Sequence, residues 1–197
     1  MAIIHSKPDP EGPPPLKKGQ LARIKHTELV NIGVKLLKNG KLPHKWKYNL
    51  SDRIPAYKGT EQDKVIQCNG KIGRCQPIFA EPQNLSGLIP DVIGWTWGNS
   101  VVIEAKTSRS DFLNDTRKKN KDGTRGKKAF AGVYYFYLTY PNMIKPEELT
   151  WQGLVTYNPE TKEIIKVKSA EFREDYTSQG TEVCVLLSGM RGRNTPR

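Results

Sequence analysis

The alternation of apolar and polar positions divides the chain into a helical start, a β-rich centre and a strand-rich end. Leu21, Ile24, Leu29, Ile32, Leu36 and Leu37 fall broadly on one stripe, which predicts an amphipathic helix from about Leu21 to Lys38. Asn39-Gly40 is a stop signal, with Pro43 shortly beyond it. Pro43, Pro55 and Gly59 break the pattern that follows, so residues 41–72 are expected to be an irregular insert, with β-prone sequence starting near Val65. Residues 74–81 form a candidate strand that Pro77 places at an edge or a bulge. Residues 91–97 and 100–106 are two strands joined by Gly98-Asn99, a two-residue hairpin signal. Residues 110–119 predict a helix with Ser110 as N-cap and Asp111 in the positive first turn. A strand at 131–139 follows, then a hairpin of 152–157 and 163–168 around Asn158-Pro159, and a last strand at Val183–Leu187.

With 197 residues, the chain has room for one domain with its own core. The arm 1–19 holds the proline run PDPEGPPP and is expected to be flexible, 20–188 to be the domain, and 189–197 a loose basic tail. No apolar run is long enough to span a membrane. Ile3 and Ile4 are the only apolar start, so no secretory signal is expected, and three cysteines make no disulfide framework. Net charge changes the picture more. The formal excess of +12 is concentrated in residues 1–58, with twelve basic and four acidic groups, and in 117–128, with seven and one. Basic blocks of this kind attract polyanions, of which nucleic acid is the commonest large one; solubility alone is the competing explanation.

Candidate chemistry lies in the hairpin. If Gly98 and Asn99 are the turn, residue 97 faces 100, Asp91 faces Lys106 and Ile93 faces Glu104. Facing residues share a side of the sheet, as do residues two apart, so Asp91, Glu104 and Lys106 project from one face. Asp91 and Glu104 are then diagonal neighbours, roughly 7–8 Å apart at the backbone. One divalent cation with oxygen ligands at about 2.1 Å can bridge that gap. Val92, Val101, Ile103 and Ala105 occupy the opposite, apolar face. A metal so held lowers the pKa of a bound water and neutralises phosphoryl charge, and Lys106 can orient or deprotonate that water.

This arrangement resembles the PD-(D/E)xK nuclease superfamily, which has the restriction-endonuclease-like fold. EAKTSRSDFLNDTRKK is similar to the strand-to-helix segment of a phage and bacterial branch of that superfamily. The basic run RKKNKDGTRGKK, the aromatic GVYYFYLTY and MIKPEELTWQGLVTY follow as in that branch, and HTELVNIGVKLL resembles its first helix. The resemblance implies an α/β (α+β) core in the order αβββαβ, a mixed sheet of about four strands flanked by helices, with added C-terminal strands. It implies a metal-dependent nuclease acting on phosphodiester bonds, DNA foremost and endonucleolytic by preference. Mg²⁺ is the expected cofactor, with Mn²⁺ as a substitute. Asp91, Glu104 and Lys106 take the catalytic positions. Glu28 on the first helix and Glu81 at the end of the preceding strand match positions that often hold a further acid near the metal. The implied setting is the cytoplasm of a bacterium or phage-infected host, with no membrane partner and with a homodimer left open. Two other classes compete: a non-cleaving nucleic-acid-binding protein on the same fold, and a phage structural or adaptor protein.

Arg109, in the SRSDF run, suits either a bidentate phosphate contact or a surface ion pair. Arg117, Lys118, Lys119, Lys121, Arg125, Lys127 and Lys128 are the expected backbone contacts to nucleic acid. Trp95 and Trp97 share the hairpin face of Asp91; packing under the first helix is the stronger reading and base stacking the alternative. Tyr134, Tyr135, Phe136 and Tyr137 read as core. Cys68 and Cys75 could supply half a zinc site, but Cys184 stands alone, and His5, His26 and His44 show no ligand spacing.

Overall fold

The computed structural model describes residues 18–49, 65–82, 90–96, 99–120 and 132–173, together with Val183, Leu186, Leu187 and Met190. Helix α1 spans Lys18–Asn39. Leu29, Val30, Ile32, Leu36 and Leu37 are buried, whereas Ile24, expected on the apolar stripe, is exposed. The inward face instead follows His26, Leu29, Val30, Gly33 and Leu37, at the three- and four-residue spacing of one helical face. Gly33 lets the helix settle close on the sheet, because a Cβ there would lie 3.1 Å from the Val92 side chain. Gly40 ends the helix in the left-handed region (φ 68°) and its N–H donates to the Leu36 carbonyl.

The strands are β1 (Leu42–Asn49), β2 (Val65–Ile72), β3 (Ile78–Ala80), β4 (Val92–Thr96), β5 (Asn99–Lys106), β6 (Tyr134–Thr139), β7 (Gly153–Tyr157), β8 (Ile164–Lys168) and β9 (Ala170–Glu171), with helix α2 at Arg109–Asn120 between β5 and β6. A six-stranded sheet runs β3-β4-β5-β6-β7-β8, and a three-stranded one runs β2-β1-β9. Both are mixed: β5-β6-β7 and β1-β9 are parallel, and the remaining pairs antiparallel. The chain is therefore α+β. In chain order α1 is followed by β1 and β2 before β3-β4-β5, α2 and β6, so two strands of the small sheet interrupt the expected αβββαβ order, and β7 and β8 extend the large sheet.

Every residue of β6 is buried, because both faces of the large sheet are covered. One face packs Val92, Val101, Ile103, Phe136 and Leu138 against α1. The other packs Ile93, Val102, Tyr135, Tyr137 and Leu154 with Phe112 of α2 and with Ile144, Leu149 and Trp151. The aromatic strand is thus core, as its composition implies. Trp95 joins the second face, edge-on to Phe79 at 6.0 Å, and not the face under α1. Trp97 lies outside the described residues.

Several expectations are corrected. The supposed irregular insert contains the antiparallel pair β1–β2, with Leu42, His44, Trp46 and Tyr48 in register with Ile72, Gly70, Cys68 and Ile66. Pro43 and the interleaved lysines mask an alternation that is regular at every second position. The β4–β5 register pairs Val92 with Ile103 and Thr96 with Asn99, so Asn99 is a strand residue and not a turn residue. Helix α2 is capped by Ser108 and not Ser110: the Ser108 hydroxyl accepts the Asp111 N–H at 3.2 Å. Lys18 and Gly19 belong to α1 and not to the arm. Val183, Leu186 and Leu187 are helical, not a strand, and Met190 is helical within the stretch read as tail. No helix of the described residues is long and apolar enough to cross a membrane.

Candidate active site

The parallel strands β5 and β6 end level with each other, Lys106 beside Thr139. The carboxyl ends of parallel strands are where open sheets of this kind bind ligands. Helix α1 crosses there, since the Tyr140 hydroxyl just beyond β6 donates to the Lys25 carbonyl and to Glu28. Asp91 arrives at the same end because β4 runs antiparallel to β5.

The two-residue change in register brings Asp91 level with Glu104 and not with Lys106. The Ala105 N–H donates to Asp91 Oδ2 at 2.7 Å, which seats the carboxylate against the residue between Glu104 and Lys106. Lys106 Nζ pairs with Glu104 Oε1 at 3.2 Å, with both side chains largely buried (7% and 16% exposed). A buried ammonium and carboxylate are costly unless they meet partners, and here each partners the other. The three residues singled out from the hairpin therefore lie at the same end of the β4–β5 pair.

Glu81 and Glu28 reach this end by other routes. Glu81, at a left-handed φ of 43°, donates its N–H to the Asp91 carbonyl at 2.8 Å. Its carboxylate is mostly exposed and lies 3.6 Å from His26 Nδ1. Glu28 accepts from the hydroxyls of Tyr140 (3.3 Å) and Tyr157 (3.2 Å). Burial, followed by the neighbouring Glu28 charge, pushes the Tyr140 hydroxyl up to about 12. Among the described residues no cluster of three or more His, Cys, Asp or Glu side chains is arranged to hold a metal ion, so Asp91, Glu104, Glu81 and Glu28 are not gathered into one such group. The donors nonetheless suit a hard cation. Asp91, just before β4, and Glu104 on the adjacent β5 supply carboxylate oxygens, and an oxygen that accepts one N–H keeps a second lone pair.

His26 is the site residue that sequence spacing missed. Its Nε2 lies 3.3 Å from Asp91 Oδ1, so α1 delivers an imidazole onto the carboxylate that β5 already holds. The hydrogen bond to Asp91 raises the His26 pKa above its usual value; burial opposes this, and the charges of Asp91, Glu81 and Asp111 add to it. The available signal was its place on the inward stripe of α1. Spacing within the chain could not show it, because its partner is far away in sequence.

Arg109 opens α2 and is engaged within the protein. Its guanidinium forms a fork with the Glu148 carboxylate, one arm at 2.6 Å, and also donates to the Met143 carbonyl. The guanidinium holds the Glu148 carboxyl down at about 2. A phosphate contact by Arg109 would exchange this partner. Arg117, Lys118 and Lys119 fall on the last turns of α2. Lys121, Arg125, Lys127 and Lys128 lie outside the described residues. A groove of about 560 Å³ runs along α1 beside Glu28, where Arg23 and Lys35 supply positive charge and Thr27 and Asn31 supply polar groups. Cys75 is buried and unpaired by disulfide, its thiol pushed up to about 11 by burial; the Cys68 side chain lies outside the described residues.

No family profile matches the chain, and no curated protein does. Among solved structures, it is similar to a protein of unknown function from Silicibacter pomeroyi, 21% identical, over 59% of this chain and 73% of that one, with a TM-score of 0.41.

Proposed function

We propose that this protein is a metal-dependent nuclease that hydrolyses phosphodiester bonds in DNA, on a core of the restriction-endonuclease-like kind found in the PD-(D/E)xK superfamily. One observation carries the reading: Asp91 of the β4 approach is bonded to the main chain between Glu104 and Lys106 of β5. An aspartate, a glutamate and a lysine thus meet at the carboxyl end of the parallel strands. Asp91 and Glu104 would hold Mg²⁺ or Mn²⁺, which when bound supplies an activated water and charge neutralisation on the phosphate. Lys106, kept close to Glu104, stands where an ammonium can hold or move a proton on the attacking water or stabilise the phosphate oxygens. Glu28 and Glu81 border this centre. The Arg23–Lys35 groove and the basic residues 117–128 would carry the flanking strand through backbone contacts.

A non-cleaving nucleic-acid-binding protein on the same core is the second reading. It draws on one fact, that the acids are not gathered into a ready metal cluster among the described residues. Incubation of single- and double-stranded DNA circles with Mg²⁺ or Mn²⁺ separates the two. Circles have no ends, so cleavage of either form establishes a metal-dependent endonuclease, whereas circles and linear DNA both left intact, with binding retained, establish the second reading. Cleavage confined to linear DNA would make the enzyme an exonuclease.

A further inference from the structure

We infer that His26 is a positioning residue, which holds the Asp91 carboxylate in the orientation that receives a divalent cation. The inference rests on the nuclease reading and assigns a role to a side chain outside the acid–acid–lysine set. Asp91 is gripped from two elements: Oδ2 by the Ala105 N–H of β5 at 2.7 Å, and Oδ1 by His26 Nε2 of α1 at 3.3 Å. A short carboxylate before the first residue of a strand is otherwise free to rotate about both of its side-chain torsions. Two donors on its two oxygens fix the plane and leave the remaining lone pairs pointing in set directions.

His26 is itself held. It lies on the inward face of α1, where Gly33 packs so close to the sheet that a Cβ there would lie 3.1 Å from the side chain of Val92, the residue next to Asp91. Its Nδ1 faces Glu81 Oε1 at 3.6 Å, and the Glu81 N–H is bonded to the Asp91 carbonyl at 2.8 Å. The imidazole, the strand end and the carboxylate therefore form one closed arrangement, in which Nε2 is the working nitrogen. Partners of this kind, one bond removed from the cation, typically change metal affinity or activity by about 10–100-fold.

The test is Mn²⁺ binding to the DNA-free protein, measured by calorimetry and by electron paramagnetic resonance. Gln places an amide nitrogen near the position of Nε2, and Asn places one near Nδ1. His26→Ala and His26→Asn should weaken Mn²⁺ binding by about tenfold or more, and His26→Gln should restore it towards the wild-type value. Melting by circular dichroism checks that each variant folds; should His26→Ala fail, the Gln–Asn pair decides. Wild-type affinity in both His26→Ala and His26→Asn overturns the inference. So does nitrogen hyperfine coupling on bound Mn²⁺ that vanishes in His26→Ala, because it makes the imidazole a direct ligand. A wild-type protein that binds no Mn²⁺ overturns both this inference and the nuclease reading. Normal binding with no His26 dependence overturns only this one.

Discussion

His26 and His44 are both half-buried, yet their surroundings act in opposite directions. His26, at the carboxyl end of the parallel strands, faces Asp91 and Glu81, and its pKa is raised. His44, on the small sheet, stands 5.0 Å from the Tyr134 ring at the other end of β6, and burial lowers its pKa. Partial burial by itself therefore says little about function. What distinguishes the two ends is whether the sequence brings charge to meet charge, as Glu104 and Lys106, and Asp91 and His26, do, or apolar surface to meet apolar surface, as Tyr134 and Phe172 do at 5.5 Å. One end of the large sheet is built for ionic chemistry and the other for packing.

Substitutions at the two ends should separate accordingly. Glu104→Gln should lower DNA cleavage by about a thousandfold or more, the several kcal/mol a metal centre supplies, while DNA binding persists or tightens as repulsion of phosphate falls. Lys106→Ala should cost roughly 10²–10⁴ in single-turnover rate, with a smaller change in the Mg²⁺ concentration for half-maximal activity. Undiminished cleavage by Glu104→Gln would erase the distinction between the ends. In the packed interior, Phe136→Ala should destabilise the fold by about 3–5 kcal/mol in urea denaturation, because Phe136 is fully buried in the central strand.

The basic run 117–128 adds charge outside the core. Replacing Lys118, Lys119, Lys127 and Lys128 with Ala should weaken binding to all DNA sequences alike. It should also flatten the dependence of log affinity on log salt by roughly 0.7–0.9 units for each phosphate that is no longer neutralised. Unchanged affinity and slope would mark this run as a solubilising surface.

The smallest expected effect is on the pH dependence of stability in metal-free protein. A raised His26 pKa stabilises the fold below the unfolded value of about 6.5, and the contribution disappears as the pH rises through the higher folded value. The melting-temperature advantage of wild type over His26→Gln should therefore be largest near about pH 6 and shrink towards about pH 8. His44 has the opposite sign. Its lowered pKa means that the unfolded chain gains protons first, so wild type should lose stability relative to His44→Phe as the pH falls below about 6.5. Equal slopes for the two variants, read by calorimetry across that range, would contradict the contrast between them.

Much of the large sheet is legible in the sequence because its signals are local. Asn39-Gly40 stops α1 where expected, and the run of four aromatics at Tyr134–Tyr137 is a strand buried on both faces. The β4–β5 register shows where local signals end. Gly98-Asn99 is a strong turn signal, but the observed pairing is displaced by two residues. A two-residue slide keeps every side chain on its original face, so the apolar pattern cannot detect it; packing of Val92 against Ile103 decides. In the C-terminal stretch, Val183, Leu186, Leu187 and Met190 carry helical spacing, which the short apolar run Val183–Leu187 obscures. Within the site, Asp91, Glu104 and Lys106 are legible because one hairpin carries them all. The His26–Asp91 contact is not, because only the docking of α1 on the sheet creates it.

Asp91→Asn is the decisive substitution, because Asp91 joins α1, through His26, to the main chain of β5 between Glu104 and Lys106. The measurement is the single-turnover cleavage rate of DNA circles with Mg²⁺ or Mn²⁺, taken beside DNA affinity in the absence of metal. Wild type should cleave only with metal, and Asp91→Asn should lose about a thousandfold or more in rate while keeping its affinity for DNA. An Asp91→Asn protein that cleaves at the parental rate would contradict the catalytic role of Asp91.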